Sequence, residues 1–322
     1  MKTVLIIQAE LPEYRGFLWQ ALRRAFKLYV ANDSANILIH PDGSETSFSD
    51  YVFSVKVDCL VLNAGIRESV KALRYIHKFR PLSVLGWTQF VGQNKGLLSR
   101  IVKTFYLVTV FDKILLYYDH EKRLIPFNSL LRKSVGLNNT IADWPLNIRP
   151  VADPRSILFI GRYTDKSKLE LLLKAALEVD EIVMHIIGVQ RDEVPVDFLR
   201  SNIRYYGRIQ NPSLIQDIAN ACTYFVYPGD VGLSIVHAVK LGLIPVVHAE
   251  LDKHMPECRA VAQDFPILYF QRDDQSSLAN ILSLIVATRV NFETKQGIAS
   301  RAQEIFSESV MTSNFINAIE GG

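Results

Sequence analysis

Cysteine is scarce in this chain, with three among 322 residues, at positions 59, 222 and 258. An odd and widely spaced set excludes a disulfide framework and offers no zinc-ligand spacing, so the three read as core thiols. Long apolar runs are also missing. The longest, such as 105–111, fall far short of a bilayer span. The chain enters a strand at 3–7 with no signal-peptide pattern, which points to the cytoplasm or the inner face of a membrane. There is no Asp-x-Asp metal motif; Asp273-Asp274 lies beside 266–270 and reads as a solvated turn, so no metal is expected. Neither the strand at 3–7 nor that at 157–160 is followed by G-x-G-x-x-G, which argues against a nicotinamide-dependent dehydrogenase. Solenoid repeats and low-complexity segments are absent.

What is present is enough apolar residue, 49% of the chain, for two cores of ordinary domain size. The net charge of +3 hides an asymmetry. Residues 1–150 carry 20 Lys and Arg against 12 Asp and Glu, and residues 151–322 carry 16 against 21. A basic first half suits acidic headgroups or lipid-linked phosphates, whereas an acidic second half needs a local basic cluster to hold a phosphate ligand.

Strand and helix patterns alternate throughout. The first half reads as strands at 4–7, 28–30, 59–62, 83–86 and 114–118, with a helix at 17–26. Three prolines and no helical period at 144–155 mark a linker, so the expected domains are 1–150 and 151–322. The second half gives strands at 157–160, 182–187, 203–206 and 224–227 and helices at 168–179 and 212–221. Asn211 is the expected cap and Pro212 the first turn of the latter helix. A strand at 266–270 and helices at 275–289 and 292–318 end the chain. This is α/β organisation in both halves, with a cleft expected between two doubly wound domains.

The densest signal is 224–249, YFVYPGDVGLSIVHAVKLGLIPVVHA: strand, glycine turn, helix, glycine stop at Gly242, and second strand. Open backbone amides at Gly232, Leu233 and Ser234 make the turn a candidate phosphate site. In a parallel sheet the loops at the strand ends gather, bringing 161–168 with Arg162, Lys166 and Lys168, the turn after Gly188, and Gly229–Asp230 to one place.

These residues resemble the donor-binding half of GT-B glycosyltransferases, glycosyltransferase family four, the glycogen-synthase-like group. The matching elements are Phe159-Ile160-Gly161-Arg162 with Lys166 or Lys168, then Ile186-Ile187-Gly188, then Tyr206-Gly207, then the 224–249 stretch. Where the family carries two glutamates with seven residues between them, this chain has Gly229, with Asp230 beside it, and His237. Val231-Gly232-Leu233, His237, Gly242 and Pro245-Val246-Val247, followed by His254-Met255-Pro256-Glu257, is similar to a bacterial surface-polysaccharide subgroup. The resemblance implies a GT-B fold of two Rossmann-like domains and retention of anomeric configuration. It implies that His237 holds the nucleotide ribose and that Asp230 or Glu257 supplies a carboxylate. Arg162, Lys166 or Lys168 and the Gly232 turn would stabilise the departing diphosphate.

The first half resembles the subgroup in the loop 11–15, with Tyr14 and Arg15, and in Trp87, which stands where a Trp-Gly-His-Gly motif would start. Thr88, Gln89 and Phe90 occupy the remaining positions. Tyr14, Arg15 and Trp87 are therefore the acceptor-side candidates. The last helix is a candidate to pack back on the first domain. The segment 95–113 reads either as a basic amphipathic membrane contact or as a buried helix with a charged face. The functional expectation is transfer of a sugar from a nucleoside diphosphate donor to a glycan or polyprenyl-linked acceptor, with no cofactor and no nucleic acid partner. The alternative is a silent module of the same fold that binds sugar nucleotide or partners another transferase. No catalytic nucleophile is assigned.

Overall fold

The computed structural model describes residues 1–53, 56–89, 97–125, 128–144, 147–150, 155–179 and 181–321, with the backbone alone for 97–100. Phe90, Lys95 and half of the expected linker lie outside the described residues. The chain forms two units, one from Met1–Ala142 with Ser307–Gly322 and the other from Asp143–Phe306.

The first unit opens with β1 (Thr3–Gln8), α1 (Gly16–Ala25) and β2 (Lys27–Asn32), followed by short β3 (Ile37–Ile39) and β4 (Glu45–Ser47). Then come β5 (Cys59–Asn63), α2 (Ser69–Phe79), β6 (Ser83–Trp87), α3 (Leu97–Val110), β7 (Lys113–Leu116), α4 (Asn128–Lys133) and β8 (Ser134–Gly136). The sheet order is β4-β3-β2-β1-β5-β6-β7-β8, parallel except where β3 and β4 extend it antiparallel. Strands such as Thr3–Gln8 and Cys59–Asn63 are apolar without alternation because helices cover both faces. Ala72, Leu107, Phe111 and Leu130 pack on one face. Leu18, Leu22, Phe315 and Ile319 pack on the other, the last two from the C-terminal helix Glu308–Glu320. From β1 the chain goes first to β2 on one side and then to β5 on the other, so the strand order reverses at β1 and β5.

The second unit contains β9 (Ser156–Ile160), α5 (Leu169–Leu177), β10 (Val183–Ile187), β11 (Ile203–Tyr205), α6 (Pro212–Asn220) and β12 (Tyr224–Val226). It continues through α7 (Ser234–Lys240), β13 (Ile244–His248), α8 (Pro256–Asp264), β14 (Leu268–Phe270), α9 (Gln275–Ala287) and α10 (Phe292–Ile305). Its sheet runs β11-β10-β9-β12-β13-β14, with every pair parallel and the reversal at β9 and β12. The loops after β9 and β12 therefore flank the crevice where such sheets take ligands.

Local chemistry sets the ends of these elements. Asn211 Oδ1 accepts from the Ser213 amide at 3.0 Å, with Pro212 in the first turn. After α7, Gly242 (φ +74°) and Leu243 donate to the carbonyls of Val239 and Ala238, the paired bonds of a Schellman stop. The sequence pattern suggests one helix over 292–318, but two form. Ser307 Oγ accepts from the Val310 amide at 3.2 Å and starts α11, the C-terminal helix Glu308–Glu320, as a separate element.

One buried cation ties this core together. Lys295, 2% exposed, donates to the carbonyls of Ala219 at 2.9 Å and Cys222 at 2.8 Å, where α6 ends. Burial draws its ammonium down to about 8. Replacing it by methionine keeps the length and takes the charged donor from both carbonyls, of which that of Ala219 keeps the Cys222 amide at 3.0 Å. Lys295→Met is expected to lose about 2–4 kcal/mol, read as a lower urea midpoint at unchanged m-value; an unchanged midpoint would show that the carbonyls find other donors.

Candidate functional site

In the second unit, the loop after β9 is built on itself. The Thr164 and Ser167 hydroxyls each accept from the other residue's amide at 3.2 Å, and Ser167 Oγ also donates to the Thr164 carbonyl at 2.8 Å. Lys168 follows in a left-handed conformation (φ 50°) and caps α5. Its ammonium pairs with Asp273, itself left-handed (φ 61°), so Lys168 is engaged within the protein. Asp274 next to it caps α9 through the Ser277 amide. Arg162 and Lys166 are exposed and have no carboxylate partner among the described residues.

The turn after β12 rests directly on this loop. A Cβ at Gly229 would lie 1.9 Å from the Lys166 carbonyl oxygen and 2.8 Å from the Ser167 carbonyl carbon. Glycine stands here because the 161–168 backbone fills the space a side chain would take. The resemblance locates a glutamate at this position, and the packing explains its absence.

The other side of the turn is held by residues the motif reading quoted without assigning. His254 Nδ1 accepts from the Val231 amide at 3.0 Å, its Nε2 donates to the His248 carbonyl at 2.9 Å, and the Met255 amide donates to the Val231 carbonyl at 3.0 Å. These bonds fix His254 as the neutral tautomer, and burial lowers its pKa to about 4. With the turn held on both sides, the amides of Gly232, Leu233 and Ser234 open α7 without a hydrogen bond among the described residues. All three residues keep partial solvent exposure. The β12 loop thus offers a row of donors, and the β9 loop two free cations.

Asp230 lies at the rim. One carboxylate oxygen accepts from His248 Nε2 at 3.1 Å and from Arg272 at 3.2 Å, and Arg272 also approaches Glu250 at 3.8 Å. Arg162 and Asp230 converge electrostatically on Tyr227, whose pKa is raised mainly by burial; Arg162 lessens the rise and Asp230 adds to it. His237 follows on α7. Its ring meets Trp144 edge-on at 5.1 Å, its Nδ1 is buried without a partner, and burial followed by the nearby Lys240 lowers its pKa to about 4. A neutral imidazole with a spare ring nitrogen can hydrogen-bond a hydroxyl. Glu257 is not on a loop; it is 3% exposed in the first turn of α8.

Gly188 has φ +95°, and a Cβ there would come within 2.4 Å of the Gly161 carbonyl oxygen, so the ends of β9 and β10 can approach only through glycine. Gly161 and Gly188 are joined to Gly207 by the Gly161 amide to Ile187 carbonyl bond at 3.0 Å and the Gly188 amide to Gly207 carbonyl bond at 2.7 Å. These glycines shape the wall and present no side chain.

In the first unit, Tyr14, Arg15 and Trp87 come together. The Arg15 guanidinium lies 4.2 Å over the Trp87 ring and 5.6 Å from that of Tyr14. Arg15 is 5% exposed and Trp87 3%. Trp87 ends β6 and, with Gln8, Asn63, Thr88, Gln89 and Tyr117, lines a cavity of about 270 Å³ at the carboxyl ends of β1, β5, β6 and β7.

In the segment 95–113, the described side chains of α3 expose the apolar residues Ile101, Val102 and Phe105. Phe105 is 71% exposed, with Val102 and Ile101 beside it, while Lys103 turns inward to the Thr88 hydroxyl and the Gln89 carbonyl. Among the described residues, no helix is long and apolar enough to cross a membrane.

Two parallel Rossmann-like α/β units in one chain are the GT-B fold. No family model and no curated protein matches the sequence. Solved structures do. The chain is similar to Anabaena HepE in complex with UDP, at a TM-score of 0.69 and 12% identity over 100% of both chains. It is similar to a glycosyltransferase from Rickettsia africae, at 0.71 and 10% over 99% of this chain and 98% of that one. The lipopolysaccharide outer core galactosyltransferase WaaB, in its apo form, matches at 0.60 and 13% over 100% and 99%. At these identities the shared property is the fold.

Proposed function

We propose that this protein is a glycosyltransferase that takes a sugar from a nucleoside diphosphate donor held by the second unit and passes it to a glycan or lipid-linked acceptor of a bacterial surface polysaccharide. The observation that carries the reading is the contact, where the strand order reverses at β9 and β12, between the loop that bears two cations with no carboxylate partner among the described residues and the turn that opens three amides. As the glycosidic bond breaks, charge builds on the departing diphosphate, and preorganised donors at that place favour the transition state over the bound substrate. His237 would meet the ribose as a neutral partner. HepE, similar in fold, has been solved with UDP and with UDP-glucose, which makes a uridine nucleotide the first donor to try.

The test is transfer from a panel of radiolabelled nucleotide sugars to lipid-linked acceptor, with product anomers assigned by NMR. Product with retained configuration, undiminished by EDTA, is expected. Arg162→Ala and Lys166→Ala are each expected to weaken UDP binding about tenfold or more at low salt, and His237→Ala to weaken it less. Gly229 favours a second reading, a silent module, because the backbone fills the site of the family carboxylate. UDP binding with no product from any donor would select it.

A lipid-borne acceptor also suits the first unit. Residues 67–103 hold eight Lys and Arg against one acid, Glu68. α2 exposes Val70, Leu73, Arg74 and Lys78, and α3 exposes Val102 and Phe105. The protein is expected to float with anionic vesicles at low salt, and Phe105→Glu to reduce the floated fraction several-fold. Equal flotation with neutral vesicles would count against a charged contact.

A further inference from the structure

The cavity of the first unit has an electrostatic imbalance that a neutral ligand would leave in place. Arg15 is buried, yet no carboxylate pairs with it among the described residues. Among the described residues its guanidinium makes one long hydrogen bond, 3.5 Å from a terminal nitrogen to the Tyr117 hydroxyl, and its Nε has no partner. Removing a guanidinium from water costs several kcal/mol unless an anion repays it, and the stack on Trp87 returns only about 0.5–2 kcal/mol. The surrounding groups lean the same way. Gln8 Nε2 and Trp87 Nε1 are buried donors without acceptors among the described residues, and both residues line the cavity. A second cation, Lys103, reaches the Thr88 hydroxyl and the Gln89 carbonyl in the same lining.

We infer that this cavity binds an anionic group, a phosphate or a carboxylate, carried on a single hydroxylated ring, with Arg15, packed behind the lining residues Trp87 and Tyr117, as the counter-charge and Gln8 and Trp87 as hydrogen-bond donors. The volume, just under the usual range for small-molecule pockets, fits one ring-sized group. Tyr117 and Asn63 supply hydroxyl and amide groups for the ring. This deepens the proposed function and rests on it in one respect: the anionic ring belongs to the acceptor, so the enzyme would select acceptors that carry negative charge next to the sugar they receive.

Three probes separate the alternatives by calorimetry on the full chain: a hexose 1-phosphate, a methyl hexuronide and a neutral methyl hexoside, with UDP titrated separately. At least one anionic probe is expected to bind tenfold or more tightly than the neutral one, and the tighter of the two identifies phosphate or carboxylate as the source. Arg15→Met should erase that preference and leave UDP affinity unchanged. Because it removes an uncompensated buried charge, this variant should melt at the same temperature or higher, whereas an arginine with only a structural role would melt lower when lost. If the Arg15 variant does not fold, Gln8→Leu provides the reading through a several-fold loss of anion affinity. Equal binding of all three probes, or an anion preference that survives Arg15→Met, overturns the inference. Failure of UDP to bind instead removes the transferase reading and leaves the anion result to stand or fall separately.

Discussion

Glutamate at position 229, the residue the family pattern would restore, is expected to destabilise the second unit by about 3 kcal/mol or more and to abolish UDP binding. Alanine there should do nearly the same, because the first side-chain carbon already meets the Lys166 carbonyl at 1.9 Å. The backbone cannot yield cheaply. Lys166 is followed by Ser167, which is 1% exposed and bonded reciprocally to Thr164, and by Lys168, which is left-handed and tied to Asp273. Moving that loop displaces Arg162 and Lys166, so stability and nucleotide affinity should fall together. Urea midpoints and UDP calorimetry on Gly229→Ala would show both losses. Gly297→Ala is the matched control: its Cβ would meet nothing within 4 Å on α10, and it should gain about 0.5–1 kcal/mol with UDP affinity unchanged. A Gly229→Glu protein that folds normally and transfers sugar faster would show instead that the glycine is a lost carboxylate.

The same comparison shows what was legible in the sequence. Parallel strands buried on both faces are written as continuous apolar runs, so both sheets could be read from segments such as Val4-Leu5-Ile6-Ile7 in the first and Leu158-Phe159-Ile160 in the second. The end of α7 was legible because Gly242 has a local cause. The turn at 229–232 was legible as a feature and opaque in its reason, because Gly229 answers to the Lys166 carbonyl sixty-odd positions earlier, a contact no local pattern records. Arg15 was opaque for a related reason. A charged residue after a Pro-Glu-Tyr loop looks solvent-exposed, and only the sheet brings Trp87 and Tyr117 around it. His254 appeared as part of a motif, but its task of receiving the Val231 amide needs β13 and β12 side by side. The break before α11 carried a sequence signal, Ser307 followed by Glu308, that the amphipathic period on either side obscured.

Acid should unfold this protein well above the pH at which carboxylates titrate. His185, His237 and His254 are all lowered from 6.5 to about 4, each chiefly by burial. The folded chain keeps them neutral over that interval while the unfolded chain protonates them. Their contribution to stability is therefore complete above about pH 6.5 and is lost as pH falls toward 4, the direction that follows when the unfolded state binds more protons. Three such groups give a slope of up to about 4 kcal/mol per pH unit at its steepest, enough to exhaust an ordinary domain's stability within the window. His254 ties the effect to function, since a proton on Nδ1 would face the Val231 amide proton and release one side of the turn that carries the open amides. Urea midpoints from pH 7.5 to 4.5 should decline with an uptake approaching three protons. His254→Gln removes one titrating ring, so it should start less stable at pH 7.5 and show about one proton less in the slope. A flat profile down to pH 5 would mean that these rings gain solvent or partners on acidification, and that the bond from the Val231 amide does not hold His254 neutral.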